Sequence, residues 1–74
     1  MRYIDNLKLI EVCIKAGMLK TMDGYVLVCR KTQQGDAWFK VSKEDLAQEL
    51  IEDTDGANFL IKELKKRNIE FLLN

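Results

Sequence analysis

The dipeptide Asp23-Gly24, between two runs of strand-forming residues, constrains the fold more than any other feature of the sequence. Asp-Gly is typical of a two-residue type I′ turn, in which both residues have positive φ and the flanking strands pair antiparallel. The flanking runs, residues 18–22 and 25–31, are rich in apolar side chains. The sequence therefore predicts a β-hairpin early in the chain.

The second of these runs is apolar on both of its faces. Tyr25, Leu27 and Cys29 share one face, because side chains alternate along a strand. Val26 and Val28 share the other face. We therefore expect both faces of this strand to be covered in the folded protein.

A third strand is predicted at residues 37–41, after the polar loop 32–36. Alternation places Trp38 and Lys40 on the face opposite the other three side chains. If those three face the helices, Trp38 and Lys40 point outward, where a tryptophan beside a lysine is typical of a contact surface. The alternative is that the first helix or a second copy of the chain covers this face, which would make Trp38 a core residue.

The first helix is predicted to run from a cap at Asp5 or Asn6 to about Ala16, where Gly17 offers the left-handed residue that ends many helices. Apolar residues occupy most of its circumference. A narrow polar stripe completes it, made of Lys8, Glu11 and Lys15.

So much apolar surface exceeds what a helix lying on one small sheet can bury. The first helix must therefore run through the core or also face a second chain. We expect a homodimer with Leu9, Val12 and Ile14 at or near the interface. The competing interpretation is that these three side chains are core residues of one chain.

Two further helices and a last strand follow. Ser42 and Asp45 form a capping box that begins the second helix, and the acidic segment 52–56 ends it. A third helix is predicted from about residue 57 to 67, capped by Thr54 or Asp55 and ended by Asn68. Residues 69–73 read as a strand that joins the sheet. The predicted order is αβββααβ, a small α+β domain spanning residues 1–74.

Composition narrows the classes of function. Twelve basic and twelve acidic residues give a formal net charge of zero, so no overall field favours nucleic acid or an anionic membrane. No apolar run approaches the ~20 residues that span a bilayer, and we expect no signal peptide, because Asp5 and Asn6 interrupt the apolar residues near Met1. Cys13 and Cys29 lie in apolar runs without metal-ligand spacing, which predicts buried, reduced and inert thiols. These features favour the cytoplasm.

The sequence offers no catalytic residues, cofactor motif or metal site. It contains no histidine, which removes the commonest general base at neutral pH and any His-dependent triad. Glu52, Asp53 and Asp55 could hold a divalent cation, but the spacing lacks the remaining ligands of a calcium loop. The simpler interpretation is a solvated turn that favours the start of the next helix.

The predicted third helix carries a basic cluster and an aromatic residue off its apolar stripe. This cluster could bind phosphate, although cations are also common in the last turn of a helix; its members are Lys62, Lys65, Lys66 and Arg67. Phe59 falls on the same side as these lysines and is a candidate exposed anchor. The alternative is that Phe59 folds under the acidic loop as a local contact.

Residues 46–50 and 60–69 have an apolar spacing that resembles the two-helix core of winged helix-turn-helix regulators. The resemblance covers about a third of the chain and implies a DNA- or RNA-binding regulator. The chain departs from that family in two respects. The segment before the third helix is acidic and would repel phosphate, and the hairpin precedes the helices instead of following them.

These observations lead to one function hypothesis and two alternatives. The first is a non-catalytic protein–protein interaction module, an accessory or inhibitor of a larger partner, of the kind that small phage and mobile-element genes encode. Its predicted contact residues are Trp38, Lys40, Phe59, Lys62 and Lys66. The first alternative is a nucleic-acid-binding regulator built on the winged-helix-like helix pair and the basic third helix. The second is a small cation-binding domain that uses the acidic segment.

Overall fold

Three α-helices and a three-stranded antiparallel sheet, in the order αβββαα, make up the α+β fold that the computed structural model describes over residues 2–71. The helices are α1 (Tyr3–Lys15), α2 (Lys43–Glu52) and α3 (Thr54–Lys66). The strands, adjacent in the order β1-β2-β3, are β1 (Thr21–Met22), β2 (Tyr25–Thr32) and β3 (Gly35–Val41).

The predicted Asp-Gly turn joins β1 to β2. Asp23 and Gly24 both have positive φ, 55° and 81°, and Met22 pairs with Tyr25 across the turn. β1 is shorter than predicted. The preceding residue Met18 donates its backbone N–H to the carbonyl of Cys13 and so belongs to the end of α1.

The turn between β2 and β3 is tighter than the predicted loop 32–36. Thr32 pairs with Gly35, which leaves two residues in the turn. The Thr32 hydroxyl donates to the Gly35 carbonyl at 2.6 Å and accepts from the Gln34 backbone N–H at 3.2 Å. Gly35 has a φ of 109°, a conformation that glycine adopts without strain. Both strands therefore extend further than sequence patterns indicated.

The start of α1 differs from the prediction, because Asp5 and Asn6 lie inside the helix and Arg2 is the N-cap. Asn6 is fully buried and its Nδ2 donates to the Ala47 carbonyl of α2 at 3.1 Å. Arg2 Nε lies 3.0 Å from Asp5 Oδ2. Neither side chain therefore has the capping role expected of it: Asn6 has a tertiary partner in α2, whereas Asp5 forms a local ion pair with the N-cap residue.

The C-terminus of α1 is as predicted. Gly17 has a φ of 76° and donates its N–H to the Ile14 carbonyl, while Met18 donates to Cys13. These two hydrogen bonds form a Schellman motif, which satisfies the last carbonyls of the helix.

Asn68 ends α3 in the same way, with a φ of 59° at the predicted residue. Ile69 then donates its backbone N–H to the Leu64 carbonyl at 2.9 Å.

Side-chain caps begin α2 and α3. Ser42 Oγ accepts from the Asp45 backbone N–H at 3.0 Å, which confirms Ser42 as the cap of α2, while the reciprocal bond of the predicted capping box, from the Ser42 N–H to the Asp45 carboxylate, does not form. α3 begins earlier than predicted, because Asp53, and not Thr54 or Asp55, is its N-cap and accepts from the Gly56 N–H at 2.9 Å. A single residue therefore separates the two helices.

The predicted last strand is wrong where the structure describes it, because residues 69–71 pair with no strand. Ile69 and Phe71 instead pack against the core. Residues 72 and 73 of that predicted strand lie outside the described residues.

The core forms between the three helices, with α1 packed mainly on α2. Its buried apolar members are Leu9, Ile10, Cys13, Val26, Leu46, Ala47, Leu50, Ala57 and Leu64. The predicted polar stripe of α1 is exposed.

Leu9 is fully buried within one chain, whereas Val12 and Ile14 are half-buried against the core. The folded chain thus covers most of the α1 surface from which an α1-mediated dimer was expected. Leu9 is not available to a second copy.

The sheet extends away from this core. Among the described strand residues only Val26 is buried, and Val28 and Val41 pack beside it. Beyond them β2 and β3 continue as a hairpin whose residues 29–36 are all exposed. No helix within the described residues is long and apolar enough to cross a membrane.

Candidate interaction surface

The face of the sheet that points away from the helices is the candidate interaction surface. The register pairs Cys29 with Trp38 and Leu27 with Lys40, so these side chains lie on one face. The opposite face carries Val26 and therefore points to the core. We call the first the outer face, and its side chains are Met22, Tyr25, Leu27, Cys29, Lys31, Asp36, Trp38 and Lys40.

Large side chains on the outer face are open to solvent. The exposed fraction is 67% for Trp38, 50% for Met22 and 46% for Tyr25. The expectation that both faces of the middle strand are covered is therefore wrong for this face. Trp38 and Lys40 point outward, as predicted for a strand whose other side chains face the helices, and α1 does not cover them.

Charged side chains border this apolar surface. Lys40 Nζ lies 2.7 Å from Asp23 Oδ2, an exposed ion pair that contributes little to stability. Lys31 and Asp36 are directly opposite each other near the far end of the hairpin. An aromatic and apolar centre within a charged border is the composition of a protein–protein contact surface.

The two thiols occupy different environments. Cys13 is fully buried in the core, and burial raises the pKa of its thiol to about 11 against a smaller opposing effect of the Arg67 charge. Cys29 is exposed on the outer face beside Trp38. Both thiols are free, but the prediction that both are buried is wrong for Cys29.

The other predicted contact residues form a separate surface on α3. Phe59 is 61% exposed and so does not fold under the acidic loop. Lys62 is exposed nearby, and Lys66 Nζ lies 3.2 Å from Glu63 Oε1 on the same helix. Among the described residues no hydrogen bond or ion pair joins this surface to Trp38 or Lys40. The predicted contact residues therefore fall into two groups.

A shallow groove between β3 and α2 was not predicted. Phe39, 44% exposed, lines it together with Arg30 and Glu49. Arg30 Nη2 lies 2.8 and 2.7 Å from the two carboxylate oxygens of Glu49 and links β2 to α2. These residues are nineteen positions apart, so no local sequence signal could reveal the contact.

The acidic segment is explained by helix capping. Asp53 binds the first turn of α3 through its carboxylate, and Asp55 lies in that first turn, where the helix dipole favours a negative charge. No group of potential metal ligands exists among residues 2–71.

No protein-family model, curated protein or solved structure matches this chain.

Proposed function

We propose that this chain is a non-catalytic protein–protein interaction module, which acts in the cytoplasm as an accessory or inhibitor of a larger protein. Small phage and mobile-element genes encode proteins of this kind. The proposed contact surface is the outer face of the sheet, and the surface around Phe59 on α3 is a second contact region.

The main observation in support of this proposal is the exposure of Trp38. Trp38 is 67% exposed and shares its face with Tyr25 and Met22. Tryptophan and tyrosine are enriched among the residues that dominate binding energy, and methionine is enriched at interfaces. Because the paired strands hold the backbone in place, ordering this surface on binding costs little conformational freedom.

The test is affinity capture from a host lysate, with the bound proteins quantified by mass spectrometry for wild type and variants. We expect Tyr25→Ala and Trp38→Ala to lose the partner, with affinity reduced about tenfold or more, because truncating a hot-spot residue costs ~2 kcal/mol or more. Circular dichroism would verify that both variants remain folded.

Lys8→Ala provides a matched control, because Lys8 lies on the exposed polar stripe of α1 and is a member of neither surface. It should capture the partner as wild type does. Unchanged capture by both outer-face variants would contradict the proposed contact surface, and a loss in Phe59→Ala alone would assign the contact to α3.

Nucleic-acid binding is the alternative, favoured by the basic residues near the end of α3. Two of these basic side chains already have partners within the chain. Lys66 pairs with Glu63, and Arg67 Nη1 donates to the Ala16 carbonyl at 3.3 Å. The helix also begins with acidic residues. We therefore expect no gel shift with DNA or RNA at physiological salt, and a shift that weakens steeply as salt rises would support the alternative.

A further inference from the structure

The outer edge of β3 is a seven-residue strand edge with no partner among the described residues. β3 pairs with β2 on one side only, and its register runs from Gly35 to Val41 without a bulge. It contains no proline, since the whole chain has none. This edge therefore lacks two of the features that keep natural edges from pairing, and its remaining protection is the charge of Asp36 and Lys40, which an incoming strand of opposite charge pattern would neutralise.

The direction of the backbone groups along this edge follows from the register. Leu27 donates its N–H toward Lys20, on the β1 side, so the alternate residues Val26, Val28 and Arg30 direct their backbone groups toward β3. Their partners in β3 are Val41, Phe39 and Ala37, whose backbone N–H and C=O groups point back toward β2. The N–H and C=O groups of the remaining residues, Asp36, Trp38 and Lys40, therefore point away from the sheet.

These three residues make β3 complementary to itself. When two β3 strands pair antiparallel about Trp38, Trp38 faces its own copy and Asp36 faces the Lys40 of the other strand. All three pairs join residues whose backbone groups point outward, so the ladder closes with six hydrogen bonds. On the opposite face the pairing sets the large Phe39 against the small Ala37.

We propose that a second copy of the chain occupies this edge, so that the two sheets join through β3 into a continuous six-stranded sheet. The two-fold axis passes through the Trp38 pair, and the interface is the same on both copies. This dimer does not use α1, and it does not depend on the proposed partner-binding function.

Charge complementarity selects both the occupant and the register. In this arrangement Asp36 lies between its own Lys31 and the Lys40 of the second copy. That Lys40 lies in turn beside its own Asp23. The charges thus alternate in sign across the joined sheet. A shift of two residues in either direction would set Trp38 against Asp36 or Lys40 and remove the ion pairs.

The test is sedimentation of the purified full chain over a wide range of concentration. We expect reversible association from 8.6 kDa to twice that mass. Asp36→Lys and Lys40→Asp each place like charges opposite each other at two symmetric positions, so each should weaken association about tenfold or more. Trp38, the single tryptophan, should show blue-shifted emission in the dimer.

Mixing the two variants gives the decisive result. In a mixed dimer the lysine introduced at position 36 of one chain faces the aspartate introduced at position 40 of the other, and the native Lys40 faces the native Asp36. An equimolar mixture should therefore associate as wild type does, at concentrations where each variant alone is mostly monomeric. This recovery also demonstrates that both variants are folded.

Lys20→Asp is the control, because it reverses an exposed charge outside β3 and should leave association unchanged. A wild-type chain that stays at 8.6 kDa would overturn the proposal and leave the edge to a strand of another protein. Association that resists both charge reversals, or that the mixture does not restore, would overturn it as well. None of these outcomes depends on the lysate partner.

Discussion

At the scale of single residues, burial separates two cysteines that look alike in the sequence. Both lie in apolar runs, but Cys13 is on the buried side of α1, whereas Cys29 is on the face of β2 that no helix covers. Strand alternation assigns Cys29 to the face of Tyr25 and Leu27. The local sequence pattern does not show which of the two faces the helices cover.

This difference predicts unequal thiol reactivity. At pH 8 a thiol with a pKa of about 11 is ionised in about one molecule in a thousand, and Cys13 is also shielded from the reagent. We expect Cys29 to react with a thiol reagent in the native protein and Cys13 to react only after denaturant is added. Peptide mapping of the labelled protein would distinguish the two sites.

Cys29→Ser is the matched control for this experiment, because it leaves one buried thiol and should abolish rapid native labelling. Rapid labelling in this variant would contradict the burial of Cys13.

The raised pKa of Cys13 also makes the stability of the fold depend on pH. The contribution of the Cys13 thiol to the free energy of unfolding is complete below the ordinary thiol pKa. It is lost as pH rises from there toward about 11.

At the scale of elements, turns and helix ends could be predicted best where the signal came from neighbouring residues alone. The Asp23-Gly24 turn, the Ser42 cap of α2 and the left-handed residues Gly17 and Asn68 all occur where the sequence indicated. The start of α1 could not be predicted from such signals, because Asn6 bonds to Ala47, forty-one residues away.

The Ser42 cap gives a prediction at this scale. Ser42→Ala removes the acceptor for the Asp45 N–H, and the free energy of unfolding should fall by ~1 kcal/mol. In a domain of this size the corresponding fall in Tm is ~4–8 °C. Thermal unfolding followed by circular dichroism would measure it.

Ser42→Asp is the control, since a carboxylate can accept the same hydrogen bond and suits the positive end of α2. It should keep a Tm close to that of wild type. Equal losses in the two variants would show that Ser42 acts through its packing and not as a cap.

At the scale of the whole molecule, stability is expected to be uneven. The helices enclose nearly all the buried apolar side chains, whereas the sheet reaches the core through Val26 and its neighbours. Arg30 and Glu49 add one exposed link between hairpin and helix. Regions with few buried contacts open without global unfolding.

Hydrogen exchange should therefore divide the chain into two parts. Amides around Leu9 and Leu64 should exchange only through global unfolding, while the paired amides of residues 28–32 should exchange through a smaller opening, at least tenfold faster. Amide exchange followed by NMR in dilute Asp36→Lys protein would measure both without the contribution of self-association. Uniform protection along the chain would show that hairpin and helices unfold as one unit.

The sequence by itself determined the features that depend on neighbouring residues: the type I′ turn, the cap of α2, the left-handed helix ends and the two-residue alternation that groups Trp38 with Lys40. These follow from backbone sterics and short-range hydrogen bonds. Tertiary structure alone decided that Leu9 is core, that Ile69 packs on the helices, and that the face bearing Trp38 stays open. Those outcomes depend on how much apolar area three helices can bury together, a quantity that no local pattern specifies.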